Sequence, residues 1–486
     1  MSSDGRALTI SSRIPFEAGQ LSLQELGFDE ALTRAGFGKY QYGVMATLAL
    51  AYFAEIAEES ISFITGPELL CQWNLKGWQE ALTTTAPFIG MFFGALVWGK
   101  IADIWGRKPI LLAICIWTGY YGIISSFSPS VGWYFVLRLL CGFGIGGIHT
   151  VPTYAAELVE TKQRAKCMLI LHVLSGLAPL FTGIAAYFLV DISKYGWRYL
   201  VVVCSLPQFV CFVAAYLVLD ESPRYLLVSG QTSRAKWILT KMAAINRAHL
   251  LFGDVKPITK PSRGKYANLF ATKELTRLTI CQCVLWFCTM GTGFGMGMLF
   301  TESLQAARSN TDSDRETCFT SDEVNYCRAS CHSLDSSDYG MILISHVHII
   351  IGAFISMTLS NIVGRVRLML ACMALYCFVT FFLFFCPNPI VALILITLCK
   401  VFIVATVQAM YLYLCEAYPT NIRATAIGVG TSCSRIGMIM TPFVAQVLAK
   451  SNFAMALSVY VSMGVVTMIT IMMLPFDTTG KQIRDK

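Results

Sequence analysis

Charge is the first thing this sequence is short of: Asp, Glu, Lys and Arg make up 14% of its 486 residues, against about a quarter in a soluble domain. Length alone would allow two or three soluble domains, but so few charges cannot cover their surfaces. Regular alternation of apolar and polar residues is also missing, which excludes the strands of a membrane barrel. The first forty residues are polar and lack the short apolar core of a cleavable signal, so the first apolar run is expected to act as the insertion signal. No Asn-x-Ser/Thr sequon occurs, which excludes N-glycosylation at such a site.

Hydrophobic residues, by contrast, make up 55% of the chain. They form apolar runs of about 20 residues, each able to cross a hydrocarbon layer of about 30 Å as a helix. Twelve such runs, numbered as spans 1 to 12, are expected at 44–65, 82–101, 109–128, 131–153, 165–190, 198–219, 277–302, 341–361, 366–386, 389–412, 424–450 and 453–474. The fold class is therefore all-α and membrane-embedded. The expected organisation is a tail (1–43), a first bundle (44–219), a connector (220–276), a second bundle (277–474) with a loop at 303–340, and a short tail (475–486). Leu21 to Tyr40 reads as an amphipathic piece on the membrane surface.

The net charge of +8 follows the loops instead of forming a nucleic-acid patch. The 221–276 connection has ten Lys/Arg against three acids, while 303–340 has seven acids against three bases. By the positive-inside rule the connector and both termini are expected in the cytosol, and the 303–340 loop outside or in a lumen. Of 18 cysteines most lie inside spans, as small packing residues. Cys71, Cys318, Cys327 and Cys331 fall in loops on the oxidising side and are disulfide candidates of open connectivity. A zinc site there would need His332 at irregular spacing, and no metal is expected.

Span 1 contains Ala54-Glu55-Ile56-Ala57-Glu58-Glu59-Ser60, whose spacings put Glu55, Glu58 and Glu59 on one helix face. A carboxylate deep in a bilayer costs several kcal/mol unless it faces water, meets a cation or takes a proton. A bland alternative has Glu59 near the interface and one acid paired to a structural arginine. Arg138 in span 4 is a candidate partner, and His149 and His172 are candidate proton carriers or packing residues. Lys400 and Gln408 in span 10, Arg435 with Pro442 in span 11, and His346 and His348 in span 8 complete the polar inventory. Gly142 to Gly147 contains a GxGxxG, but inside an apolar helix it reads as close packing and not as a nucleotide loop. Gly291 to Gly297 in span 7 is expected to bend or break the helix, making Gly293 and Gly295 candidate gate positions.

Two echoes divide the chain into halves. Asp103, Gly106 and Arg107 after span 2 recur at the same spacing as Asn361, Gly364 and Arg365 after span 8. Glu157 precedes Arg164 by seven residues, as Glu416 precedes Arg423. Internal repeats of this kind build secondary transporters, with the substrate between them.

The run Gly99-x3-Asp103-x2-Gly106-Arg107-Lys108, with the Glu157–Arg164 and Glu416–Arg423 loops, resembles the signatures of the major facilitator superfamily over nearly the whole chain. Asp220-Glu221-Ser222-Pro223-Arg224 and Pro475 to Lys481 resemble degenerate sugar-porter marks. Gly36 to Gln41, the acidic span 1, Arg164-Ala165-Lys166-Cys167, Gly142 to Gly147 and the cysteine-bearing loop resemble the synaptic vesicle 2-related branch. The resemblance implies twelve helices in two pseudo-symmetric six-helix bundles, in vesicle or other membranes. Asn361 departs from the acid expected there, and span 7 lacks the Gln-Leu-Ser pattern of sugar porters.

The expected function is alternating-access transport of a small organic solute, an organic cation or other organic ion, with protons as a coupling ion. Glu55, Glu58 and Glu59 would form a negative wall, and their mutual repulsion favours holding one proton among them. Asp103 would face the N-terminus of span 11 near Ala424, where the helix dipole favours negative charge. Arg107 would pair with Glu157 or Glu416 as a latch of about 1 kcal/mol per pair. Partners are then the solute, protons and lipids, for a monomer with no enzymatic activity, cofactor or nucleic acid. The competing readings are a non-transporting receptor or regulator on the same fold, and a sugar facilitator, which would need more Gln/Asn lining.

Overall fold

The computed structural model describes residues 26–190, 195–248, 255–257, 266–309, 336–385 and 388–477. Regular structure among them is almost entirely helical. Among the described residues, ten helices are long and apolar enough to cross a membrane by length and composition alone. The other two expected spans are helical but less apolar or less regular. Span 1, Lys39–Ser60, carries three carboxylates. Span 5 is two pieces, Thr161–Ser175 and Ala178–Leu189, parted just before Pro179, which has no N–H to continue the ladder. The spans form two pseudo-symmetric six-helix bundles.

Irregular turns interrupt spans 4 and 11. Span 4, Val131–Leu158, contains a 3-10 turn at Gly146–His149. Span 11, Thr420–Pro442, continues through a π-turn at Phe443–Leu448. Span 7 is not broken at its glycines: Lys273–Ser309 is one continuous helix. Its glycines are used for contact and not for a break, since a Cβ at Gly295 would lie 2.1 Å from the Tyr460 ring of span 12. Spans 2 and 4 interlock similarly: a Cβ at Gly94 would lie 2.0 Å from the Phe143 carbonyl oxygen. Small residues let membrane helices approach this closely.

At the connector side, Phe28–Ala35 packs Phe28, Ala31, Leu32 and Ala35 against the connector helix Thr232–Asn246. The apolar face expected on the membrane surface is thus covered by protein. Asn246 donates from Nδ2 to the carbonyls of Ala35 and Gly36 at 3.2 and 2.8 Å. Its Oδ1 accepts the Tyr40 N–H at 3.1 Å, so the connector fixes the start of span 1.

Candidate functional site

The three acids of span 1 have three different fates. Glu58 is fully enclosed, and its carboxylate accepts from Arg138 Nη1 at 2.8 Å and from the Ser205 hydroxyl. Arg138 Nη2 also donates to the Glu58 carbonyl at 2.9 Å. This dry, saturated pair ties span 1 to spans 4 and 6. Glu59 faces the other half, 3.3 Å from Arg435 Nη1 of span 11. That guanidinium also lies against the Met91 and Met438 sulfurs at 3.2 and 3.6 Å. Glu55 has 1% exposure, and neither of its oxygens has a hydrogen-bond partner. The negative wall expected from the sequence is thereby reduced to one uncompensated acid.

Span 10 supplies the opposite charge. Lys400 is buried, and its Nζ donates to the Ser345 hydroxyl at 3.3 Å. Gln408, two turns further on, leaves a buried Oε1 unbonded. His346 and His348 each set Nδ1 on a backbone carbonyl, of Ile342 at 2.7 Å and of Ser345 at 2.6 Å. A nitrogen against a carbonyl must donate, so Nε2 of each ring is left as the acceptor. His149 lies half-buried in the 3-10 turn of span 4. The side chain of His172 lies outside the described residues.

At the connector side the charge pairs of Arg107 and Arg365 with described residues each join residues of the same half. Arg107 binds Asp103 at 2.6 Å and Glu157 at 3.0 Å, while Arg365 binds Glu416 at 2.9 Å. Of the two partners expected for Arg107, the structure gives Glu157. Arg164 donates to the Val159 carbonyl and Arg423 to the Tyr418 carbonyl, each five residues upstream. Gly106 has φ +108° and Gly364 φ +100°, a region that glycine enters freely. At Gly106 a side chain would also strike the Glu221 carboxylate, which accepts the Arg107 N–H at 2.8 Å and caps span 3. The side chain of Asn361 lies outside the described residues.

The opposite side holds a charged lock that sequence reasoning missed. Lys450, in the last turn of span 11, binds Glu80 of span 2 at 2.6 Å and Glu302 of span 7 at 3.2 Å. Gln446 donates to Glu80 at 3.4 Å, and Tyr339 donates to Glu68 at 3.0 Å between the same halves. Glu80 is fully buried. In sequence these charges sit at the ends of apolar runs, where a snorkelling residue looks the same. Beneath the lock, the Phe294 ring of span 7 meets Phe63 at 5.2 Å and Phe88 at 5.5 Å across the seam. Cys71 on this side is disulfide-bonded, to a residue outside the described ones. Cys318, Cys327 and Cys331 also lie outside them.

Two pseudo-symmetric bundles with buried charge along their seam are the architecture of a membrane transporter. The chain belongs to the sugar (and other) transporter family, whose model matches residues 39–485, within the major facilitator superfamily. It is similar to the synaptic vesicle 2-related protein of Pongo abelii, 32% identical over 457 residues, covering 94% of this chain and 82% of that protein. It is also similar to SVOPL of Homo sapiens, 29% identical and covering 94% of this chain and 92% of that one. Among solved structures, the xylose transporter XylE from E. coli in a partially occluded inward open conformation superposes with TM-score 0.69. The two are 17% identical, and the match covers 92% of this chain and all of that one, a likeness of fold.

Proposed function

We propose that this protein moves a small organic ion across its membrane by alternating access, coupled to protons, with Glu55 as the group that exchanges a proton for the cationic part of the solute. The observation that carries this reading is the contrast within span 1: Glu58 and Glu59 each face an arginine, while both Glu55 oxygens are buried without a hydrogen-bond partner. An intramembrane acid left in that state is costly unless a proton or cation visits it. The seam supports the cycle. Among the described residues, Lys450 of one half binds Glu80 of the other on the side away from the connector, while the clasps at the connector side close within each half, an arrangement suited to an inward-facing state. Names of relatives that refer to synaptic vesicles favour a vesicle membrane, with the connector in the cytosol and the chain acting as a monomer. A sugar facilitator would leave Glu55 without a task.

The test is uptake into proteoliposomes from a metabolite mixture, read by mass spectrometry with and without an imposed pH gradient. Wild type is expected to accumulate organic ions in a gradient-dependent way, and Glu55→Gln to lose the dependence. Unchanged uptake and pH response in Glu55→Gln would end the proposal.

A further inference from the structure

Four Arg or Lys side chains are buried among the described residues: Arg138, Arg365, Lys400 and Arg435. Three have a carboxylate within 3.3 Å. Lys400 has none. Its one hydrogen bond goes to Ser345, whose own hydroxyl proton is given to the Ile342 carbonyl at 2.7 Å. The ammonium therefore keeps two N–H donors without protein acceptors, in a group that is 7% exposed. An unpaired ammonium inside a membrane span is costly, and the titratable neighbours do not relieve it: His346 and His348 hold Nδ1 on backbone carbonyls, carry no negative charge, and accept no hydrogen bond from Lys400 through Nε2.

The position lies deep in its span and at the seam. Lys400 stands eleven residues into Pro389–Ala417, about 16 Å along the helix at 1.5 Å per residue, which places it well inside the span. It faces Gly297 of span 7, where an added Cβ would lie 3.7 Å from Nζ and 3.6 Å from the Phe63 ring of the other half. The absent side chain leaves the ammonium beside the seam, where the solute of an alternating-access carrier passes.

We propose that Lys400 anchors an anionic group of the transported solute, so that the solute carries a carboxylate or a comparable monoanion. This rests on the transport reading above and narrows it. With Glu55 and Lys400 as the two uncompensated charges of opposite sign, a zwitterion, or a monoanion accompanied by a proton on Glu55, neutralises both, whereas a simple cation leaves Lys400 bare.

The test uses three probes of one shape, butylamine, butyrate and 4-aminobutyrate, on the purified full-length chain in micelles at fixed pH and ionic strength, read by thermal unfolding. Butyrate and 4-aminobutyrate are expected to raise the midpoint more than butylamine. Lys400→Gln should weaken the apparent affinity for butyrate by about tenfold or more, the loss of one charge-assisted contact. Lys400→Arg should keep the response, as should Ser345→Ala, which retains the charge and guards against a misfolded Gln variant. The proposal is overturned if the carboxylate probes do no better than butylamine, or if Lys400→Gln responds as wild type does. A larger shift for 4-aminobutyrate than for butyrate that disappears in Glu55→Gln identifies a zwitterion; equal shifts identify a monoanion with a proton. Gradient-driven uptake that depends on Glu55 but not on Lys400 removes this assignment alone, whereas a Lys400-dependent shift without any uptake removes the transport reading and leaves the anion site standing.

Discussion

The connector-side clasps of the two halves are nearly superimposable in their chemistry. Arg107 meets Glu157 at 3.0 Å in one half and Arg365 meets Glu416 at 2.9 Å in the other, with Arg164 and Arg423 closing equivalent carbonyls. The interiors are not alike. Span 4 carries Arg138 locked to Glu58, and the corresponding span 10 carries Lys400 with a serine hydroxyl for a partner. Symmetry is thus kept where two bundles must turn in the same way, and lost where each contributes a different charge to what passes between them. A saturated ion pair holds helices together; an unsaturated charge is left for something else.

The largest test of that contrast is stability. Arg138→Ala strands a buried carboxylate and is expected to cost about 3–5 kcal/mol, seen as a fall in the thermal midpoint. Lys400→Met removes a charge that no acid answers, so its midpoint should equal or exceed wild type. Equal losses for both would show that Lys400 is as structural as Arg138. Next in size is packing. Gly94→Ala pushes a methyl into the Phe143 carbonyl and should cost about 1–3 kcal/mol, whereas Gly297→Ala meets nothing closer than 3.6 Å and should be near neutral. A moderate effect is expected at the lock between halves: Lys450→Gln leaves Glu80 and Glu302 without their cation. Opening on that side should become about tenfold more frequent, a shift of about 1.4 kcal/mol, read as faster thiol labelling of Phe294→Cys from the loop side. The smallest change is Asp103→Asn, which removes one of the two acids that hold Arg107, the one at 2.6 Å. A partly exposed pair of this kind is worth at most about 1 kcal/mol, and the effect of its loss should shrink as salt is raised.

Some of this was legible in the residues themselves. Run length and low charge announce membrane helices. The repeated Gly-Arg and Glu-x6-Arg patterns announce two halves, because each half needs the same turn and the same clasp and local spacing is enough to write them. Glu55, Glu58 and Glu59 announce a functional face because acids are rare inside apolar runs. Their roles were not legible. Glu59 meets a guanidinium 376 positions away and Glu80 an ammonium 370 away, and no periodicity carries information over that distance. The glycines of span 7 looked like a break since glycine weakens a helix in isolation, yet the helix runs on unbroken and the packed neighbour Tyr460 uses the missing side chain as room.

The sequence by itself determined the solvent this chain folds in, the approximate count of its crossings and its division into repeats, for these follow from composition and short-range spacing. Only the tertiary structure decided which acid is free, which cation is unanswered and which side of the seam is bolted. Charge compensation in a low-dielectric interior depends on atoms within about 4 Å of each other, and it is the packing of distant helices that brings those atoms together.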